Sequence, residues 1–372
     1  MILSQERATL EKFFPGLDAA LLNIPLLEME SRNNPAFQVF REFGGPSLLI
    51  PTEYAGLGAS PLQAIRILRA IASRSPSLAV ATTMHHITVV MTQVMITNQP
   101  GFALLERVAQ QNLYFASGFA EGQVGQNILA SCMQVKETVD GLIISGSKKP
   151  CSLCRSMDLI AASVTLPAHE GDEDELVMVI IPASEPGVER YPFWETWPLA
   201  GTESDEVRLK EVYVPEECIY YMGKPGHLNS VQAQTFIWFE LFISAAYLGI
   251  ASALVERVFK DGKGIPSERV LLATEVEGAM AALEGLAYSI MNGEKDDKTV
   301  AKSLFVRYLV QRAIACVTTQ AVEILGGMSF VKSSEVAYLL ASVHALAFHP
   351  PSRLSISPAL DKYLLGGTLS LM

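Results

Sequence analysis

Through residues 1–111 apolar side chains return at three- and four-residue spacing, as Leu62, Ile65, Leu68 and Ile71 do, which predicts a series of helices. From 112 to 224 the period shortens. Runs at 134–138 and 142–145 flank Val139, Asp140 and Gly141, and Asp-Gly between two alternating runs is a strong hairpin signal. Strand-like runs follow at 159–165, 175–181 and 206–213, separated by Pro, Gly and acidic stretches such as 170–174. After Pro225 and Gly226 long helical patterns return, over 229–259, 266–292, 297–326 and 333–346. The expected fold is α+β and mostly α: an N-terminal helical domain (1–111), a middle antiparallel β-barrel-like domain (112–224) and a C-terminal four-helix bundle (225–372).

With 372 residues, of which 49% are hydrophobic and 18% charged, the chain can bury a large core and divide into two or three domains. Its net charge of −11 and the absence of any Lys/Arg cluster argue against a nucleic-acid partner, because binding to a phosphate backbone depends on such clusters. Five scattered cysteines are poor material for a disulfide framework. The first fifteen residues carry Glu6, Arg7, Glu11 and Lys12 rather than the basic-then-apolar run of a signal peptide, so a cytoplasmic protein is expected. Residues 236–254 are long enough to span a bilayer, yet they contain Glu240 and many small residues. A buried central helix, with no membrane partner, is the expectation.

Four segments carry a family pattern. They are the proline-glycine loop holding Pro51, Gly56 and Gly58; the run Ala120-Glu121-Gly122-Gln123-Val124-Gly125-Gln126-Asn127; the hairpin from Asp140 and Gly141 into Pro150, Cys151 and Ser152; and Glu323-Ile324-Leu325-Gly326-Gly327-Met328-Ser329-Phe330. Together with the helix, strand, helix order, with Gly201-Thr202-Glu203-Ser204-Asp205-Glu206 to Val214 and Pro215, and with Tyr247-Leu248-Gly249-Ile250-Ala251, they resemble the flavoproteins of the acyl-CoA dehydrogenase superfamily over nearly the whole chain. The resemblance implies FAD, with FMN as the alternative, an acyl-CoA or other small-molecule substrate, and a homodimer or homotetramer. It implies that the backbone at Phe119, Ala120, Glu121 and Gly125 meets the edge of the flavin ring. Ser152 would take the place of a threonine near flavin N5 and keep a hydroxyl donor there. Glu323, Gly326 and Gly327 would approach the cofactor of a neighbouring subunit.

The chain also departs from that pattern. Pro350 stands where the family's general base, a glutamate, is found, and proline can neither accept nor donate a proton. Phe239 occupies the alternative base position on the central helix. Glu240 is one residue, about 100°, further round. A lone carboxylate in an apolar helix is either a base tuned upward by desolvation or half of an ion pair with an arginine on another helix. His349 lies where substrate would meet flavin, as an acid or base or as a histidine packed at a helix end. Glu240 and His349 are therefore the catalytic candidates. Ala120 and Pro150 replace a threonine and a tryptophan, and Lys260 and Lys263 stand near the place of an arginine that reaches the FAD pyrophosphate. His85, His86 and the lone Cys151/Cys154 pair read as packing, and no metal site is expected. Three functions fit: an oxidoreductase acting on an acyl thioester, a flavin monooxygenase of the same fold, and a non-catalytic binding relative.

Overall fold

The computed structural model describes residues 2–96, 99–123, 130–168, 173–225 and 229–369. Seven helices come first: α1 (Ser4–Phe13), α2 (Leu17–Leu22), α3 (Leu26–Met29), α4 (Ala36–Glu42), α5 (Pro61–Ala72), α6 (Pro76–Met95) and α7 (Gln99–Gln111). Eight strands follow: β1 (Phe115–Gly118), β2 (Gln134–Glu137), β3 (Gly141–Cys151), β4 (Leu159–Leu166), β5 (Glu175–Pro182), β6 (Val188–Tyr191), β7 (Asp205–Pro215) and β8 (Ile219–Gly223). The chain then returns to helices in α8 (Ser230–Lys260), α9 (Pro266–Met291), α10 (Asp297–Leu325), α11 (Gly327–Lys332), α12 (Ser334–Val343) and α13 (Arg353–Leu364), with a 3-10 segment, His344–Phe348, after α12.

Local chemistry sets the helix starts. Ser60 and Gln63 form a capping box at α5 with Pro61 in its first turn, Asn229 and Gln232 do the same for α8, and the Asp296 carboxylate accepts the Thr299 N–H at the start of α10. α10 ends at Gly326, which has a φ of +87°.

The strands do not close into a barrel. They form two four-stranded sheets, ordered β1-β4-β5-β8 and β2-β3-β7-β6. The expected antiparallel pairing holds except between β1 and β4, which run parallel. The hairpin at Asp140 and Gly141 joins β2 to β3, with Glu137 opposite Leu142. Along β3 the register against β7 shifts between Lys148 and Cys151, so both of these side chains are buried while Pro150 between them is exposed.

α8 is the axis of the helical core and packs on α5, α6, α9, α10 and α12. α6 and α8 are both long and apolar enough to cross a membrane, and 78% and 89% of their most apolar windows are buried within the fold. α5 and α8 meet at Gly249, where an added Cβ would lie 2.4 Å from the Arg69 carbonyl oxygen and 2.6 Å from the Ala72 Cβ. The Arg69 guanidinium, wholly buried beside this crossing, is bound by Glu6 of α1 at 2.5 Å, Glu277 of α9 at 2.7 Å and Ser252 of α8 at 3.1 Å.

Gly249→Ala should destabilise the chain by about 1–3 kcal/mol because the two helices must separate. Gly278→Ala, on an exposed face of α9 with nothing within 4 Å of the new Cβ, should stabilise it by about 0.5–1 kcal/mol. Thermal unfolding of the two variants reads both signs.

Candidate functional site

The pattern of α10 explains how a charge enters the core. Val300, Leu304, Arg307, Val310 and Ile314 fall on one helical stripe, all of them buried. Arg307 thereby meets Glu240, which α8 also buries: Nη1 lies 2.9 and 3.0 Å from the two carboxylate oxygens, and the side chains are 1% and 0% exposed. Burial pushes the Glu240 carboxyl up to about 7, against the pull of the arginine charge.

The rest of the guanidinium binds one short stretch of backbone. Nη1 donates to the Pro350 carbonyl at 3.3 Å, and Nη2 donates to the carbonyls of Leu346, at 3.1 Å, and His349. The adjacent Tyr308 hydroxyl donates to the Pro351 carbonyl at 3.2 Å. The 3-10 segment and the prolines behind it therefore take their course from two neighbouring side chains of α10.

That course sets His349 against α8. Its Nε2 shares a 3.0 Å hydrogen bond with the Tyr247 hydroxyl, and its ring packs beside Tyr247 and Phe239. Desolvation and the Arg307 charge push the imidazole down to about 3, while burial holds the Tyr247 phenol above its usual range. Both groups are neutral near pH 7. Glu240, His349, Tyr247, Phe239 and Arg307 thus form one constellation, in which the carboxylate holds the arginine and the arginine holds the segment bearing the histidine.

A second group of expected residues lies at the strands. The Ala120 carbonyl accepts the Lys149 N–H at 2.8 Å, fixing 119–121 along β3. The Glu121 side chain turns inward, where Lys148 Nζ at 2.6 Å, Ser131 Oγ at 2.7 Å and the Cys132 N–H at 3.0 Å surround it. Burial lowers the Lys148 ammonium pKa, and Glu121 opposes that shift. Ser152 begins a run of hydroxyls: its Oγ is 2.8 Å from Ser204 Oγ, which is 2.7 Å from Thr202 Oγ1, which donates to the Leu199 carbonyl at 2.7 Å. The Leu199 N–H in turn donates to the Tyr338 hydroxyl of α12 at 2.9 Å, and that hydroxyl donates to the buried Glu30 at 2.5 Å. This chain of bonds ties the strands to both helical regions.

Glu323, Gly326 and Gly327 sit elsewhere, at the junction of α10 and α11. Glu323 and Gly327 are exposed, added Cβ atoms on either glycine would meet nothing within 4 Å, and Met328, Phe330 and Val331 beside them face solvent. Gly125 lies outside the described residues. Lys260 is engaged with Glu256 at 3.2 Å, one turn earlier on α8.

Arg307 was not singled out by sequence reasoning, and Tyr247, Thr202 and Ser204 entered only as parts of family-like segments, with no role of their own. Arg307 had a readable signal, a cation on an otherwise apolar stripe. The family-like segment gave the two hydroxyls no role, because their value depends on contact with a turn some fifty residues away, a separation of 52 between Ser152 and Ser204.

His85 and His86 are buried in the core. His85 Nδ1 accepts the Phe115 N–H at 3.0 Å, which leaves Nε2–H to donate to the Pro46 carbonyl at 2.9 Å. Burial pushes His85 down to about 4. A buried thiol is equally unsuited to redox or metal use, and burial raises both Cys151 and Cys154.

Helices flanking two small sheets, with the motif residues set as above, define a divergent member of the acyl-CoA dehydrogenase superfamily of flavoproteins, and the chain belongs to that family as a flavin-dependent oxidoreductase. It is 44% identical to the isobutylamine N-hydroxylase of Streptomyces viridifaciens over 376 aligned residues, 99% of each chain. Its structure matches that of FMN-bound TdsC, a dibenzothiophene monooxygenase from Paenibacillus sp. A11-2, with a TM-score of 0.84 at 16% identity over 99% of both chains. It also matches a nitrososynthase from Micromonospora carbonacea var. africana, with a TM-score of 0.82 at 16% identity over 98% of this chain and 97% of that one. No family model matches the sequence.

The bonds around His85 need its neutral form, so its folded pKa lies below the unfolded value of about 6.5. Its contribution to stability is therefore complete above pH 6.5 and is lost as pH falls toward 4. Urea unfolding of the native chain should weaken between pH 7 and pH 5 more steeply than that of His85→Gln, whose side chain does not titrate.

Proposed function

We propose that this chain is an FMN-dependent N-hydroxylase of small aliphatic amines, acting in the cytoplasm. The observation that carries this reading is its 44% identity, over 99% of both chains, to an isobutylamine N-hydroxylase, at a site where Pro350 replaces the base that α-proton abstraction needs. Hydroxylation at nitrogen abstracts no α-proton. Bound flavin, arriving reduced, would supply the two electrons with which one oxygen atom of O2 enters the amine and the other leaves as water.

The residues present fit a flavin ring. The half-buried stretch at Phe119 and Ala120 is held along β3 by the Lys149 N–H, and Ser152, at the end of the same strand, carries a hydroxyl. In this reading 119–121 and Ser152 line the ring, and Gly326, Gly327 and Glu323 meet the cofactor tail of a second copy in a homodimer or homotetramer. FMN is favoured over FAD because the chain lacks the family's pyrophosphate-binding arginine motif, and the bound form of TdsC carries FMN.

His349 is the residue we assign to the substrate. An amine is oxidised through its nitrogen lone pair, so the ammonium form is inert. A neutral imidazole held by Tyr247 offers the amine a hydrogen-bond partner without a second positive charge. Glu240 acts at one remove, by holding Arg307 and through it the His349 backbone.

The test supplies chemically reduced FMN, O2 and isobutylamine to the purified protein and measures the hydroxylamine formed. Product is expected from short aliphatic amines and none from acyl-CoA. Flavin oxidation that yields only hydrogen peroxide, or oxidation of an acyl-CoA to its enoyl form, would overturn the reading. His349→Ala should lower product formation by about 10²-fold while FMN still binds.

A further inference from the structure

We propose that Thr202 and Ser204, neither of which is assigned to the flavin ring, fix the hydrogen-bonding sense of Ser152 and so make the site prefer the two-electron-reduced flavin over the oxidised one. The inference rests on the reading above, in which Ser152 faces flavin N5.

The number of protons in the run fixes its sense. Three hydroxyls carry three protons, and the run ends on the Leu199 carbonyl, which can only accept. Thr202 donates to that carbonyl at 2.7 Å, so its proton is used. The 2.7 Å contact between Thr202 and Ser204 must then be made by the Ser204 proton, and the 2.8 Å contact between Ser204 and Ser152 by the Ser152 proton. All three protons point inward. Ser152 is left with lone pairs to present outward, where the family pattern implied a donor.

The opposite sense is open to the chain but makes one protein hydrogen bond fewer. If Ser152 donates outward, Ser204 donates to Ser152 and Thr202 to Ser204, and the Leu199 carbonyl keeps only the Thr202 N–H, at 3.1 Å. Water is poorly placed to replace the lost bond, because Thr202 and Ser204 are 2% and 5% exposed. The distances are held by backbone: the Leu153 N–H donates to the Thr202 carbonyl at 3.1 Å and the Cys154 N–H to the Glu203 carbonyl at 3.3 Å. The turn after β3 is thus clamped to the segment that carries the hydroxyls.

Flavin N5 changes character with redox state. Oxidised, it bears a lone pair and accepts; reduced, it bears a hydrogen and donates. The inward sense is complementary to the reduced ring, and binding the oxidised ring requires the whole run to reverse. Such a bias suits a flavin that arrives reduced and leaves oxidised.

The experiment measures dissociation constants of oxidised FMN and of dithionite-reduced FMN under anaerobic conditions, for the native chain and for Thr202→Val, Thr202→Ser and Ser204→Ala. The native chain should bind reduced FMN more tightly. Thr202→Val leaves the Ser204 proton to go to Ser152, which then donates outward, so the oxidised-to-reduced ratio of constants should fall by about two- to tenfold, the worth of one hydrogen bond. Ser204→Ala frees Ser152 to take either sense and should give a smaller fall. Thr202→Ser, which keeps the hydroxyl, should retain the native ratio. A hydroxyl run that is merely structural would shift both constants together, and an unchanged ratio in Thr202→Val and Ser204→Ala overturns the inference while leaving flavin binding intact. If the native chain binds neither form, the flavin reading fails, and this inference with it.

Discussion

A single buried ion pair governs the course of the chain beside His349. Glu240 and Arg307 lie on neighbouring core helices, and neither has water to fall back on. Removing charges of this kind from water is costly, and the pair is supported by further bonds from Nη1 and Nη2 to the backbone carbonyls of Leu346, His349 and Pro350, while the buried Nε–H has no partner among the described residues. The same bonds that satisfy the arginine fix a stretch that has no regular hydrogen-bond ladder of its own beyond one 3-10 turn. The position of the histidine is therefore a by-product of keeping a charge satisfied in the core.

The strand residues assigned to the flavin in the proposed function are ordered on a different principle. At the strands the ordering comes from register: a shift along β3 buries both Lys148 and Cys151 and leaves Pro150 exposed between them. Glu121, whose backbone runs beside Lys149, sends its side chain inward to neutralise Lys148. Two buried charges, Arg307 and Lys148, are thus each paired with a carboxylate, one in each group of residues that the proposed function uses. In the proposed function neither charge is offered to the substrate, an uncharged amine.

Much of this frame was legible in the sequence. The long helices were readable because their periodicity runs over many turns, and the structure places α8, α9 and α10 within a residue or so of the patterns at 229–259, 266–292 and 297–326. The hairpin at Asp140 and Gly141 was readable because a two-residue turn signal is local. β1, β6 and β8 were not, since strands of four or five residues give too little alternation to stand out, and the parallel pairing of β1 with β4 depends on a distant partner. Glu240 was legible as either a tuned base or half of an ion pair, and the structure pairs it with Arg307. Which arginine it meets is decided by the packing of α8 on α10, where Lys298, Lys302 and Arg312 compete for notice with Arg307. The hydroxyl run joins Ser152 to Thr202 and Ser204, residues of two family-like segments whose contact the sequence alone does not show.

The most direct test of the account is a double-mutant cycle on Glu240→Met and Arg307→Met, read by unfolding free energy and by amine hydroxylation. Each single variant leaves one buried charge without its partner and should lose about 3–5 kcal/mol of stability. The double variant should recover most of that stability, because no lone charge remains, yet stay low in turnover, because the His349 backbone has lost its donor. A double variant that regains both stability and native turnover would contradict the claim that the pair positions the histidine.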